Sequence, residues 1–411
     1  MSPRTKKILM IVGLLVVAGL IAFGLYTMFK RTTPGGFFKP GQVSTTTPGK
    51  LPSAGEREPG ATTAPGTEPG GQQLPTAGYI PQVAPSYYKP TPVNKVTSDY
   101  ATFTSMDNAG ALRYYNAADG KFYHVLSNGQ IQEMSDEIFY NVEKVTWANS
   151  ADKAVLEYPD KAKIIYNFDT KKQVSIPSHW EEFSFSPDSG ELAAKSIGLS
   201  PENRWLIVFN DDGTGTKLIE PMGKNADKVT IDWSPSRQVV AFSQTGEPLG
   251  LERKEILFVG LNGENFKSAV VEGQDFRSQW SPTGQRLLYS VYSSRTSYKP
   301  ELWVVDSYGD SIGSNRQTLK LNTWAEKCAF QNDTTLYCAV PKNLPDGAGM
   351  LPELAAGVYD DLYKIDLTTG LKTSVPLGGD YEIGQISFDA NNEKVFFTDK
   401  NQSGVFEVKL K

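Results

Sequence analysis

His124 and His179 are the only imidazoles in this 411-residue chain, and Cys328 and Cys338 are its only thiols. A Ser-His-Asp centre needs a histidine within hydrogen-bond reach of a nucleophile and a carboxylate to orient it. The two histidines fall in different units of the repeat described below, and no strand-to-helix nucleophile elbow is expected, so acyl-transfer chemistry is not anticipated. Asn210, Asp211, Asp212 and Gly213 offer oxygen ligands for a cation, but the same residue types are what a tight turn between strands requires. The turn is the expected outcome, with no metal and no cofactor. Carboxylate pairs of the kind that cleave glycosides cannot be placed across a cleft from spacing alone.

The cysteines lie in "KCAFQNDTTLYCAV". If Phe330 faces Leu336 across an antiparallel hairpin, Cys328 faces Cys338, within disulfide range. Two buried free thiols fit the same register, and an oxidising location favours the bond.

The elements that must hold these residues are short strands. "FSFSPDSGELAAKS", "IDWSPSRQVVAFSQ" and "SQWSPTGQRLLYSV" each read as a strand, a Ser-Pro turn and a second apolar strand. A third strand and a short fourth follow each, as in "RWLIVFNDDG" and "KLIEPM". An aromatic closes the first strand of each unit at Phe103, Trp147, Phe185, Trp233, Trp280, Phe330 and Phe388. Seven units of four strands, without helical periodicity, predict an all-β, seven-bladed propeller over residues 85–411. The seventh unit stops after three strands, so Tyr87–Val96 is expected to supply the fourth, at the outer edge where its prolines are tolerated.

Ser186-Pro187-Asp188, Ser234-Pro235 and Ser281-Pro282-x-Gly284, each before an apolar strand, resemble the propeller repeat of TolB and its relatives, which also occurs in prolyl oligopeptidase-type enzymes. Three copies match and four are degenerate, and the likeness covers about residues 98–411. WD-repeat propellers are similar in architecture, but their Gly-His and Trp-Asp pairs are missing here. The resemblance implies the fold and a habit of binding proteins. The hydrolase domain of the peptidases and the N-terminal α/β domain of TolB have no counterpart in this chain.

In a propeller, loops joining second to third strands and loops joining successive blades emerge on one face. Blades four, five and six lengthen the former with "QTGEPLGLERK", "YSSRTSYKP" and "PKNLPDGAGMLPELAAGVYD". Insertions gathered on one face mark a binding face. Trp180, Phe276, Arg295, Tyr298, Trp324 and Tyr381 are its candidate ligand contacts, with Tyr140 a further loop aromatic. The competing role for the aromatics is as wedges packed between blades.

Between Lys7 and Lys30, 22 uncharged residues would form a helix of roughly 33 Å, enough to span a bilayer. Residues 1–7 are expected in the cytoplasm, 8–29 in the membrane, and 30–84, rich in Pro, Gly and Thr, as a disordered stalk. Residues 98–411 carry a net charge of −12, which disfavours nucleic acid as a partner. The sequence therefore reads as a single-pass, membrane-tethered propeller outside the cytoplasm, serving as a scaffold for a protein or glycan partner. A cell-surface hydrolase or lyase with an acidic site in the central channel is the alternative.

Overall fold

A computed structural model describes residues 89–107, 110–264 and 266–410. They belong to a compact unit, Gln82–Lys411, made of seven four-stranded antiparallel sheets. The inner strands are Ala101–Met106, Lys144–Trp147, Trp180–Phe185, Val229–Ile231, Gln274–Trp280, Cys328–Asn332 and Ile383–Asp389. Sheets one to six each run through four consecutive strands. The seventh is completed by Val93–Thr97, which pairs antiparallel with Val405–Lys409 as its outermost strand, Val93 opposite Val408. Among the described residues no helix is long and apolar enough to cross a membrane. The predicted span 8–29 and the stalk 30–84 lie outside the described residues.

The Ser-Pro signature has a mechanical explanation. Ser186, Ser234 and Ser281 are buried, at 2%, 0% and 0% exposure, and each Oγ accepts the backbone N–H of the residue five positions on. Each serine N–H also donates to that same residue's carbonyl, which pins the turn shut from both sides. Its fourth residue is left-handed, at Ser189, Arg237 and Gly284, so glycine there in the third copy removes a steric cost. In the degenerate copy of blade one Asp107 takes the serine's place, with Oδ1 accepting from Ala111 N at 2.8 Å.

That substitution moves one anchor. Because Asp107 stands where the serine should be, the residue closing the inner strand of blade one is Met106, paired with Leu112, and not Phe103 as the aromatic spacing suggests. Phe103 sits at a bulge with φ of 52°, where its carbonyl accepts Trp147 Nε1 at 2.6 Å. The blade count is unaffected.

The core lies between neighbouring sheets. Ala148, Val155 and Ile165 of blade two pack on Trp180, Phe185 and Phe209 of blade three. Between blades four and five the ring of Phe242 meets Phe276 and Trp280, with centroids 5.5 and 5.2 Å away. Burying an aromatic of this size removes 150–250 Å² from water, so these seams carry much of the stability. Cys328 lies directly opposite Cys338 in blade six, with Cα atoms 4.1 Å apart, and a disulfide joins them.

Candidate functional site

The three long loops of blades four to six are fastened to one another. Ser294 N donates to Glu252 of the blade-four loop, and Gln274 Nε2 to Leu251 O at 2.6 Å. The buried carboxylate of Glu272, between blades four and five, receives Arg253 at 3.0 Å, Arg316 at 2.9 Å and Arg295 at 3.6 Å. From the blade-six loop, Gly347 N donates to Ser297 O and Gly349 N to Tyr298 O, at 2.9 and 2.7 Å. Lys299 and Asp346 pair at 3.0 Å.

These bonds explain an unusual backbone. Ser297 and Tyr298 are both left-handed, with φ of 53° and 56°. Such positions persist in non-glycine residues only where the surroundings dictate them. Here the blade-six loop grips both carbonyls. Gly349 must be glycine for the grip: a Cβ there would stand 2.5 Å from Tyr292 Cβ and 2.7 Å from Tyr298 O.

The fastened loops present apolar tips to solvent. Leu249 and Leu251 project from the first loop, Tyr298 from the second, and Met350, Leu351 and Leu354 from the third, with Leu251 86% and Leu351 58% exposed. Apolar side chains clustered on one face mark an interaction surface when polar groups rim them. None of the leucines was singled out from the sequence. The available signal was Leu and Met inside Gly/Pro-rich insertions, where no strand could bury them.

Four of the aromatic candidates have packing roles: Trp180, Phe276 and Trp324 are buried and Tyr381 is half-buried. Trp180 is 8% exposed and packs on Phe209 at 4.5 Å between centroids. Phe276, also 8% exposed, lies against Phe242 and Tyr289. Tyr381 packs against Phe397 and Phe406. Trp324, 6% exposed, forms a small core with Leu344, Ala348 and Ala355, so it is the floor on which the blade-six insertion is built. Of the six candidates Arg295 and Tyr298 are exposed and Tyr381 is half-buried, and Tyr140 of the loop after blade one is also exposed.

Beside that floor a cavity of about 370 Å³ opens between blades five, six and seven, lined by Arg277, Glu326, Lys327, Glu382, Gln385 and Lys400. Burial works to lower Arg277, but Glu326 at 2.5 Å and Asp275 at 2.8 Å more than reverse it and hold the guanidinium above its ordinary range. Burial lowers Lys327 and raises its partner Asp360. The cavity thus offers paired charges of both signs next to an apolar wall, a surface for recognising polar groups.

A carboxyl raised toward neutral pH lies where blade four meets blade five. Asp232, just beyond the inner strand of blade four, is pushed up to about 7 by burial, opposed by Trp280 and Ser278. Trp280 Nε1 makes no well-formed hydrogen bond, so the opposition is weak. Asn210–Gly213 form a turn, with Gly213 N donating to Asn210 O and Thr214 N to Asp212 Oδ1. The Gly-x-Ser-x-Gly spacing does occur in the chain, at Gly309-Asp310-Ser311-Ile312-Gly313, but not as a strand-to-helix elbow. It forms a short 3-10 turn between two strands of blade five, and Ser311 Oγ donates to Tyr308 O, not to a histidine. His179 is exposed, and His124 lies near Asp107 and Asp152 on the face opposite the long loops.

No protein-family model matches the chain, and no curated protein matches it by sequence. Solved structures match by fold. The β-propeller domain of Cps50 (Swd1) from Myceliophteria thermophila is similar with a TM-score of 0.53 at 12% identity, over 78% of this chain and 100% of that one. An oligogalacturonate lyase in complex with manganese gives 0.52 at 11% identity, over 78% of this chain and 93% of that one. The oligogalacturonate lyase of Vibrio parahaemolyticus gives 0.51 at 12%, over the same shares. At these identities the likeness establishes the seven-bladed fold.

Proposed function

We propose that this chain is a membrane-tethered, extracytoplasmic propeller whose long-loop face binds a protein partner. The observation that carries the reading is the set of three mutually fastened loops whose outermost side chains are leucine, methionine and tyrosine. A loop already held in place has little ordering entropy left to lose on binding, and exposed apolar tips gain most by being covered. The fold alone does not choose, because similar propellers occur in a lyase and in Cps50.

The tether rests on the 22 uncharged residues 8–29, with Arg4, Lys6 and Lys7 before them. The Cys328–Cys338 bond supports an oxidising compartment for the propeller. A TolB-like lineage rests on the three Ser-Pro turns. A glycan partner would use the charged cavity beside Trp324, and an enzyme would use Asp232, whose neighbours Ser278 and Trp280 are neutral.

Photo-crosslinking on cells tests the reading. The full chain carries a photoreactive residue at Leu251 or Leu351, or at Leu218 on an outer strand as control. A discrete crosslinked protein from 251 and 351, absent from 218, is expected. Identical patterns from all three positions would remove the loop face as the binding surface.

A further inference from the structure

On the opposite face, three side chains from two blades converge. Asp107 follows the inner strand of blade one, His124 lies on its third strand, and Asp152 belongs to the turn after the inner strand of blade two. One ligand atom from each lies within 4.8 Å of the others. His124 Nε2 is 3.4 Å from Asp152 Oδ1 and 3.7 Å from Asp107 Oδ2. That nitrogen is shielded from solvent and has no hydrogen-bond partner.

Those distances are informative. They are long for a charge-assisted hydrogen bond, which closes to about 2.7–2.9 Å. They suit two ligands of one ion: with metal–ligand bonds of about 2.0–2.2 Å, tetrahedral ligand atoms stand about 3.3–3.6 Å apart. The carboxylates are oriented from outside. Asp107 Oδ1 is occupied by Ala111 N, which leaves Oδ2 toward the histidine. Arg113, paired with His124 across the sheet, stands 3.5 Å from Asp152 Oδ1, the oxygen that also faces His124, so a bound ion would share that oxygen with the guanidinium. Its guanidinium is held by the carbonyls of Met106, Ala148 and Ala151 and lies over the Trp147 ring at 4.7 Å.

Two carboxylates against one guanidinium leave a net negative charge at a buried nitrogen. That charge attracts a cation, and a divalent one carries the cluster from −1 to +1. We propose that Asp107, His124 and Asp152 form a mononuclear site for a divalent transition-metal ion that clamps blade one to blade two. One imidazole and two carboxylates suit Zn²⁺ or Mn²⁺ and not Mg²⁺, which takes oxygen ligands in a near-ideal octahedron.

The chain makes the test clean, because His179 is the only other imidazole and the disulfide occupies both thiols. The purified full chain, stripped with chelator, is titrated with ZnCl₂, MnCl₂ and MgCl₂ by calorimetry at neutral pH. One Zn²⁺ per chain is expected, with a rise in melting temperature and no saturable Mg²⁺ binding. H124N and D107N should each weaken Zn²⁺ binding by at least tenfold, and H179N should leave it unchanged. Circular dichroism shows whether each variant is folded, and D152N gives a second route if one is not. Zn²⁺ binding that survives in H124N, or that is lost only in H179N, overturns the site. So does an absence of saturable Zn²⁺ and Mn²⁺ binding by the folded chain.

Discussion

Lys327 Nζ lies 2.7 and 2.8 Å from the two carboxylate oxygens of Asp360, and both side chains are buried beside the cavity. Asp360 Oδ2 also accepts Ile383 N at 2.7 Å, which ties blade six to blade seven. Burial opposes ionisation of both partners, so the pair's attraction is spent largely on its own desolvation. Removing one partner leaves the other charge alone in the seam. K327M should lower stability in urea by about 3–5 kcal/mol, and K327M/D360N, which keeps an acceptor for Ile383, by clearly less. Additive losses would mean that the two residues act independently.

Asp232 should set a pH dependence. Its carboxyl binds a proton more tightly in the folded chain, at about 7, than in the unfolded chain, near 3.8. The folded state therefore holds the extra proton between these values. The associated stability is fully present below about pH 4 and is lost as pH rises through 7. By linkage this contribution is up to about 4 kcal/mol. D232N should flatten that part of the pH–stability curve and be more stable than the parent at pH 8. Parallel curves for parent and variant would place the titration elsewhere.

Trp324 and Leu351 should separate packing from recognition. W324A empties the floor under the blade-six insertion and should cost about 3–5 kcal/mol. L351S alters an exposed tip and should change stability by no more than about 0.5 kcal/mol while reducing the crosslinked product. Thermal unfolding and crosslink yield, read on both variants, check the assignment. A stable W324A variant would return Trp324 to the binding surface.

The seam of blade seven should govern global stability. Deletion through Thr97 removes the strand Val93–Thr97 and bares the edge formed by Val405–Lys409. Such a chain should melt well below one deleted through Tyr88 and should aggregate more readily, because an unpaired edge templates association. Equal melting temperatures would show that this strand is dispensable.

The architecture was legible because the turn that joins the first two strands of a blade needs a buried acceptor, which Ser-Pro writes into three copies, and a left-handed position, which Gly284 marks in one of them. Where Asp107 replaces serine and Met106 replaces the aromatic, the pattern misled by three residues. The binding aromatics were misread for a different reason. An aromatic packed between blades and one that grips a partner can stand in the same kind of loop, and only burial separates Trp180 from Tyr140, both read from the sequence as lying in blade-to-blade connections. Asp107, His124 and Asp152 lay beyond reach because they are distant in sequence and meet only through the packing of two sheets.

The pairing of Val93 with Val408 also imposes an order on synthesis. Blades one to six can each assemble from contiguous chain as it emerges. The strand Val93–Thr97 is made before any of them, yet its partner emerges roughly 300 residues later, on the order of 15–60 s at 5–20 residues per second. Through that interval it waits unpaired. Pro90 and Pro92, just ahead of it, supply no backbone N–H and shorten what a wrong neighbour could grip.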